Sequence, residues 1–497
     1  MIFSGIQAFS GSDVERVALR FENEALSYEA LVREVNQTVS RLVSVGIGRN
    51  TPVGVYCENS SATMILYYAV SKIGGTFIPL NAVLTAAEAA YIIDHAQIKH
   101  LFVDELLASA ALDAVGERDC TIFDTRGFLQ KESVEAQLEA SEINPDFLIV
   151  YTSGSTGVPK AVRYTQAAEF AGNRSLIELW GVTPEDKVLV ALPLGFLYGL
   201  STAASMALQA GAEVILLRKF RPADVLNAIV NHRVTVFHGV PTMFSMMLEY
   251  AEQNDLQFDL SFMRLFISAG APLSKELKDR FARRFNKRIE DYYALTEVRP
   301  VFGSYASRQV ELPEGSIGQA APGVEVKFVT ASGQLAADGE EGEVWVKAPA
   351  TTSGYYKAAD LTASAFVDGF FRTGDLGYRD ADGFYYLTGR IKDIIIKGGA
   401  NIAPAEVEDV ICEHPAVQLA SVIGIPDPKF GEQPFAYFVT TAGKQVSAEE
   451  LTAHCRAKLA EFKVPVSFIQ LSEMPLGSTS KIDKKALFNI WKEAQDA

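Results

Sequence analysis

A chain of 497 residues is too long for one compact core, so two to four folding units are expected. Hydrophobic residues make up 48% and charged residues 21%, a balance that excludes a disordered chain. The formal net charge of −16 argues against nucleic acid as a partner, because that field repels phosphates unless a local basic site overcomes it.

In chain order, the first residues lack the basic start and long apolar run of a signal peptide. Ser27 then precedes a helical pattern with Leu31, Val32, Val35, Val39, Leu42 and Val43 on one side, stopped by Gly46 and Gly48. A buried strand at 52–56, a helix through 64–73 and a strand at 76–79 follow. Further apolar runs at 100–103, 147–151, 188–192, 213–217, 235–237 and 265–268 alternate with helical patterns. This rhythm predicts an α/β fold of layered, largely parallel sheets, whose C-terminal strand edges are where ligands bind. Beyond about Pro313 the strand-like segments at 324–329, 342–347 and 383–388 are short and separated by Gly and Asp, which predicts a small antiparallel β-barrel or sheet over about 313–389. From Gly389 a new rhythm begins: helices at 404–413 and 448–459, strands at 420–425, 435–440 and 467–471. A large N-terminal domain over 1–391 and a small mobile α+β C-terminal domain over 392–497 are therefore expected.

Cys57, Cys120, Cys412 and Cys455 lie far apart with no CxxC pair, which suits a reducing compartment and neither disulfides nor a zinc site. No apolar stretch is long enough to span a bilayer, so a cytoplasmic protein is expected.

The most informative segment runs from Tyr151 to Lys160. Gly154 and Gly157 permit backbone angles that let amide N–H groups converge on an anion. Thr152, Ser153, Ser155 and Thr156 add hydroxyl donors, and Lys160 adds a positive charge. It is not a Walker A loop: two residues separate the glycines where that motif has four, and Val158 and Pro159 intervene before the lysine.

This loop resembles the phosphate-binding signature of the adenylate-forming superfamily, which includes acyl- and aryl-CoA synthetases, nonribosomal peptide adenylation domains and firefly luciferase. Further segments resemble that family in the same order, from about Ser27 to Leu487. Ser268-Ala-Gly-Ala-Pro-Leu273 is similar to the segment lining the adenine, here Gly270, Ala271 and Pro272. Tyr293-Ala-Leu-Thr-Glu297 resembles the family's Tyr-Gly-x-Thr-Glu, which implies Tyr293 on adenine, Thr296 on the α-phosphate and Glu297 on Mg²⁺; Ala294 stands where Gly is usual. Phe371-Arg-Thr-Gly-Asp375 implies that Asp375 accepts hydrogen bonds from the ribose hydroxyls, as a carboxylate beside a diol does. Gly389-Arg-Ile-Lys-Asp393 implies a ribose contact at Arg390 and a hinge at Lys392. Gly398 and Gly399 resemble the turn beside the CoA tunnel, and Lys481 stands at the catalytic lysine, with Ser480 in place of the usual Gly.

The resemblance, closest to acyl-CoA synthetases, implies an ATP-dependent carboxylic acid–CoA ligase using ATP, Mg²⁺ and CoA. It would form acyl-AMP, release pyrophosphate, then form a thioester. Adenylation places Thr296, Glu297, Lys160 and Lys481 at the reacting phosphate. The segment Pro193-Leu-Gly-Phe-Leu-Tyr-Gly199 and the segment around His238 and Gly239 resemble pocket-lining stretches. With Phe196, Leu197, His238, Gly239 and Ala294 they make an apolar acyl pocket suited to a fatty or aromatic acid. The alternative is a standalone adenylation enzyme that loads an acyl group onto the phosphopantetheine of an acyl carrier protein. A monomer or homodimer is expected.

Overall fold

The computed structural model describes residues 2–11, 15–132, 146–152, 159–307, 312–441, 443–477 and 482–496. The first helix of the α/β part, Tyr28–Ser44, starts at Ser27, whose side chain accepts a hydrogen bond from the Ala30 N–H. It buries Leu31, Val35, Val39 and Leu42 on the side predicted by the spacing. Two sheets form the α/β layers.

The six-stranded sheet runs, edge to edge, Thr121–Asp124, His100–Val103, Pro52–Tyr56, Thr76–Leu80, Leu148–Thr152 and Lys160–Tyr164. All pairs are parallel except the last, an antiparallel pair in which Thr152 faces Lys160. The nine-stranded sheet has a parallel centre of Ile289–Tyr293, Leu265–Ser268, Val236–Gly239, Lys187–Val190, Glu213–Leu216 and Val17–Phe21. Lys187–Val190 has its sequence successor Glu213–Leu216 on one side and the later strand Val236–Gly239 on the other. It is thus the topological switch point, where a crevice opens beyond the strand ends. Because the central strands are parallel, every segment that follows one of them emerges at one edge.

The strands coincide with the apolar runs or differ from them by a residue or two at their ends, and each run is a strand. Their burial on both faces explains why continuous apolar stretches identified them. The barrel segment forms a five-stranded antiparallel sheet of Glu325–Val329, Gly342–Lys347, Phe366–Val367, Phe370–Arg379 and Tyr385–Arg390. Among the described residues its pairing is that of an open sheet, so the expected closure into a barrel is not seen. After a short 3₁₀ turn at Ile391–Asp393, the chain builds another five-stranded sheet, carried by the long hairpin Val417–Asp427 and Gly431–Thr440. The helix Lys484–Asp496, which the sequence pattern did not reveal, packs against that hairpin through Leu487, and the Tyr437 hydroxyl donates to the Leu487 carbonyl at 3.1 Å. No helix among the described residues is long and apolar enough to cross a membrane.

Candidate active site

The parallel centre of the large sheet delivers four of the predicted segments to one edge. Pro193–Leu197 leaves the switch-point strand, Gly239 ends its neighbour, Gly270–Pro272 follows Leu265–Ser268, and Ala294–Glu297 follows Ile289–Tyr293. Gly270, Ala271 and Pro272 are exposed there, and Gly270 has φ +90°, a conformation only glycine adopts without strain.

The phosphate loop closes the antiparallel pair Leu148–Thr152 and Lys160–Tyr164. The chain therefore returns as a strand, where a Walker A loop would lead into a helix. Ser153, Gly154, Ser155, Thr156 and Gly157 lie outside the described residues, as does Lys481. Thr152 and Lys160 sit at the two ends of the loop, half-buried.

Lys160 and Glu297 are brought together by a side chain absent from the sequence-based candidates. The Tyr355 hydroxyl donates to Glu297 Oε1 at 2.9 Å, and Lys160 Nζ lies 5.3 Å from the centre of the Tyr355 ring. Thr296 is held from the other side, where its carbonyl accepts a hydrogen bond from Tyr164 Oη at 2.5 Å. Arg299, whose guanidinium lies 5.6 Å from the centre of the Tyr164 ring, pairs with the buried Glu169.

Among the described residues no cluster of three or more His, Cys, Asp or Glu is placed to hold a metal ion. A single half-buried carboxylate such as Glu297 does not make a protein cage, but it fits Mg²⁺, which uses one or two carboxylates together with phosphate oxygens and water.

Asp375 lies on the strand Phe370–Arg379, directly opposite Arg390 in the neighbouring strand. Arg390 Nε donates to its Oδ1 at 2.7 Å, and the Tyr293 hydroxyl donates to its Oδ2. The Thr373 hydroxyl accepts from the Asp375 N–H at 3.0 Å. Both carboxylate oxygens are thus engaged and the residue is 3% exposed, so a ribose diol must share or displace these donors. The Tyr293 ring stacks on Phe302, with centroids 5.5 Å apart and planes 20° apart. Burial pushes its phenol well above the usual range, and the neighbouring Asp375 carboxylate adds to that. The sequence resemblance placed Tyr293 on adenine; here its hydroxyl end holds Asp375.

Toward the acyl side, Asn59 clamps the switch point. Its amide donates to the Leu192 and Leu217 carbonyls at 2.9 and 3.0 Å and accepts from the Leu194 N–H at 2.7 Å. A Cβ on Gly195 would lie 2.6 Å from the Asn81 Cα, so that turn requires glycine. Phe196 is half-buried, Leu197 is buried, and both lead into a π-helix, Tyr198–Ser205, a form concentrated at functional sites. Ala294 is half-buried against the main core. His238 is fully buried, edge-on to Trp180 (4.9 Å) and Tyr198 (5.8 Å), and neither ring nitrogen has a hydrogen-bond partner. Burial holds its pKa down at about 3, so the imidazole is neutral. It packs behind Tyr198 with no surface of its own exposed.

Arg390 and Lys392 are exposed on either side of Ile391. Gly398 and Gly399, with φ +59° and +87°, form the two-residue turn between Ile395–Lys397 and Ala400–Ile402. The Gly398 N–H donates to the Phe430 carbonyl at 2.7 Å, fixing the turn to the long hairpin.

Known protein families match both parts of the chain. Residues 7–356 match the model of the AMP-binding enzyme family, and residues 406–481 match the AMP-binding enzyme C-terminal domain. The chain is 32% identical to 2-succinylbenzoate–CoA ligase of Bacillus velezensis over 96% of each protein. It superposes on ATP-bound MatB from Rhodopseudomonas palustris with TM-score 0.90 and 28% identity, covering 99% of both chains. It superposes with TM-score 0.86 and 29% identity on o-succinylbenzoate CoA synthetase MenE from Bacillus subtilis holding its acyl-adenylate intermediate, covering 97% of both.

Proposed function

The chain belongs to the AMP-binding enzyme family, and on that premise we propose that it is an ATP-dependent acid–CoA ligase acting through an acyl-adenylate on a fatty or aromatic acid. The observation that carries this is the meeting of Lys160 and Glu297 on Tyr355: a cation for phosphate and an anion for a metal, from segments far apart in sequence.

A carboxylate does not react usefully with a thiol, because oxide is a poor leaving group. In the first step a carboxylate oxygen attacks the α-phosphorus of ATP and the bond to pyrophosphate breaks. The product is a mixed anhydride whose leaving group is AMP. Two anions approach in this step, so positive charge is needed at the α-phosphate. In this reading Lys160 serves the departing pyrophosphate and Thr296 the α-phosphate; by resemblance the loop amides share the first task, and Lys481 stabilises the oxygens between acid and phosphorus. Mg²⁺, which Glu297 would hold, neutralises phosphate charge when bound. Asp375 and Arg390 orient the ribose. In the second step the CoA thiol attacks the acyl carbonyl, its proton is released, and AMP departs. Rotation about Lys392 withdraws Lys481 and brings Gly398 and Gly399 to the thiol's path.

The apolar character of Phe196, Leu197 and Ala294 supports a fatty or aromatic acid, and the two named ligase relatives support CoA as acceptor. The test is acid-dependent ATP–pyrophosphate exchange across fatty, aromatic and amino acids, followed by CoA or a phosphopantetheinylated carrier protein as acceptor. Exchange with a fatty or aromatic acid and thioester formation with CoA are expected. Formation of ADP and orthophosphate without AMP would overturn the assignment, and transfer to the carrier alone would replace CoA as acceptor.

A further inference from the structure

Adenylation assigns work to Glu297 and Lys160, and Tyr355 touches both from a third part of the chain. Building on the adenylation reading, we propose that Tyr355 is a positioning residue that orients the Glu297 carboxylate toward the metal–triphosphate cluster and seats Lys160 beside it.

The placement of Tyr355 is over-determined. Residues 353–356 run alongside the strand Lys160–Tyr164: the Ser353 N–H donates to the Arg163 carbonyl at 3.2 Å, the Arg163 N–H to Gly354 at 3.1 Å, and the Tyr356 N–H to Ala161 at 2.8 Å. The Tyr355 N–H donates to the Thr362 hydroxyl at 2.9 Å. Gly354 has φ +117°, and a Cβ there would lie 2.5 Å from Thr362 Cγ2, so the chain can pass only as glycine. The Thr352 N–H donates to the Glu297 carbonyl at 2.8 Å, which ties the Glu297 backbone to this segment as well. Tyr355 is 4% exposed, so its ring has no freedom to swing away.

The chemistry then depends on the hydroxyl. A lone carboxylate can turn about its terminal bond, and a rotating ligand holds a metal poorly. One charge-assisted hydrogen bond to Oε1 stops that rotation and leaves Oε2 available to a metal ion. The phenol O–H is the donor and the carboxylate the acceptor, so the bond leaves the Glu297 charge in place. The aromatic face under the Lys160 ammonium holds that cation without neutralising it, which a carboxylate in the same place would do.

The experiment uses the full chain. Binding of ATP with Mg²⁺, and of AMP without metal, is measured by calorimetry for the wild type, Tyr355→Phe, Glu297→Gln and the double variant. A hydrogen bond to a charged group corresponds to a loss of about 10- to 100-fold. Tyr355→Phe is expected to weaken Mg·ATP by about that factor, to raise the Mg²⁺ concentration needed for exchange, and to leave AMP binding unchanged. In the Glu297→Gln background the same substitution should add nothing. Equal loss of AMP and Mg·ATP binding, unaltered Mg·ATP binding, or full additivity in the double variant would each overturn the proposal. If Tyr355→Phe does not fold, Tyr355→Met, which also lacks the hydroxyl and fills much of the same space, takes its place; failure of both to fold assigns Tyr355 a packing role and overturns the proposal. A wild type that binds no Mg·ATP would overturn the adenylation reading itself, which is a distinct failure.

Discussion

Replacing Glu169 by Gln should cost more stability than any surface substitution in this chain. Glu169 and Arg299 form an ion pair with side-chain exposures of 0% and 1%. The Tyr67 hydroxyl donates to Glu169 Oε1 at 2.8 Å, Ser201 donates to the same oxygen, and Arg299 Nη1 reaches Asn173 Oδ1 at 3.4 Å. The guanidinium also lies 5.6 Å from the centre of the Tyr164 ring. Glu169→Gln keeps the shape and some of the hydrogen bonds but leaves the Arg299 charge uncompensated where water cannot reach it. Breaking a buried pair in this way costs about 3–5 kcal/mol. At roughly 2 °C per kcal/mol for a large folding unit, Tm should fall by roughly 6–10 °C. Thermal scans followed by circular dichroism at one fixed rate read this directly. The double replacement Glu169→Met with Arg299→Met removes both charges and should recover most of the loss, since apolar side chains of similar volume are often neutral or better. A single variant within 1–2 °C of wild type (about 1 kcal/mol on this scale), or a double variant as unstable as the single, would refute the reasoning.

His238 makes a prediction about acid. Its folded pKa of about 3 lies below the unfolded value of about 6.5, so between those values only the unfolded chain binds the proton. The stability it contributes is complete above about pH 6.5 and falls as pH drops toward 3, by about 2 kcal/mol at pH 5. The Tm gap between wild type and His238→Leu should therefore shift by the equivalent amount from pH 7 to pH 5, and a constant gap would count against it. Lys481→Ala should slow acid-dependent exchange about 10²–10³-fold, the scale of one lost electrostatic stabiliser, and spare thioester formation from supplied acyl-adenylate. If both half-reactions slow equally, Lys481 has another role. Lys392→Pro, which fixes φ within the short turn Ile391–Asp393, should preserve exchange and impair thioester formation. Equal loss of both steps would rule out a hinge there.

What could be read without coordinates follows from two kinds of local signal. Strands buried on both faces, such as Pro52–Tyr56 and Leu265–Ser268, are uninterrupted apolar runs, so composition along the chain reveals them. Segments such as those ending in Lys160, Glu297, Asp375 and Lys392 carry their chemistry in adjacent residues, so type and order identified them. The strand around Asp375 was harder, because Gly374 with φ +71° and the register shift between Leu376 and Gly377 give it the composition of a turn. The helix Lys484–Asp496 was not predicted because its larger apolar residues, Leu487, Phe488, Ile490 and Trp491, span little more than one turn, too short to show a helical period.

Sequence alone therefore determined the strand rhythm and the family to which the motifs belong. Only the tertiary structure decided which groups touch: Glu169 with Arg299 across 130 positions, Tyr355 with Glu297 across 58, and Tyr293 with Asp375 across 82. Local propensity is blind to such pairs. They exist because parallel strands present their ends at one edge, and because a buried charge or hydroxyl must find its partner wherever the fold places one.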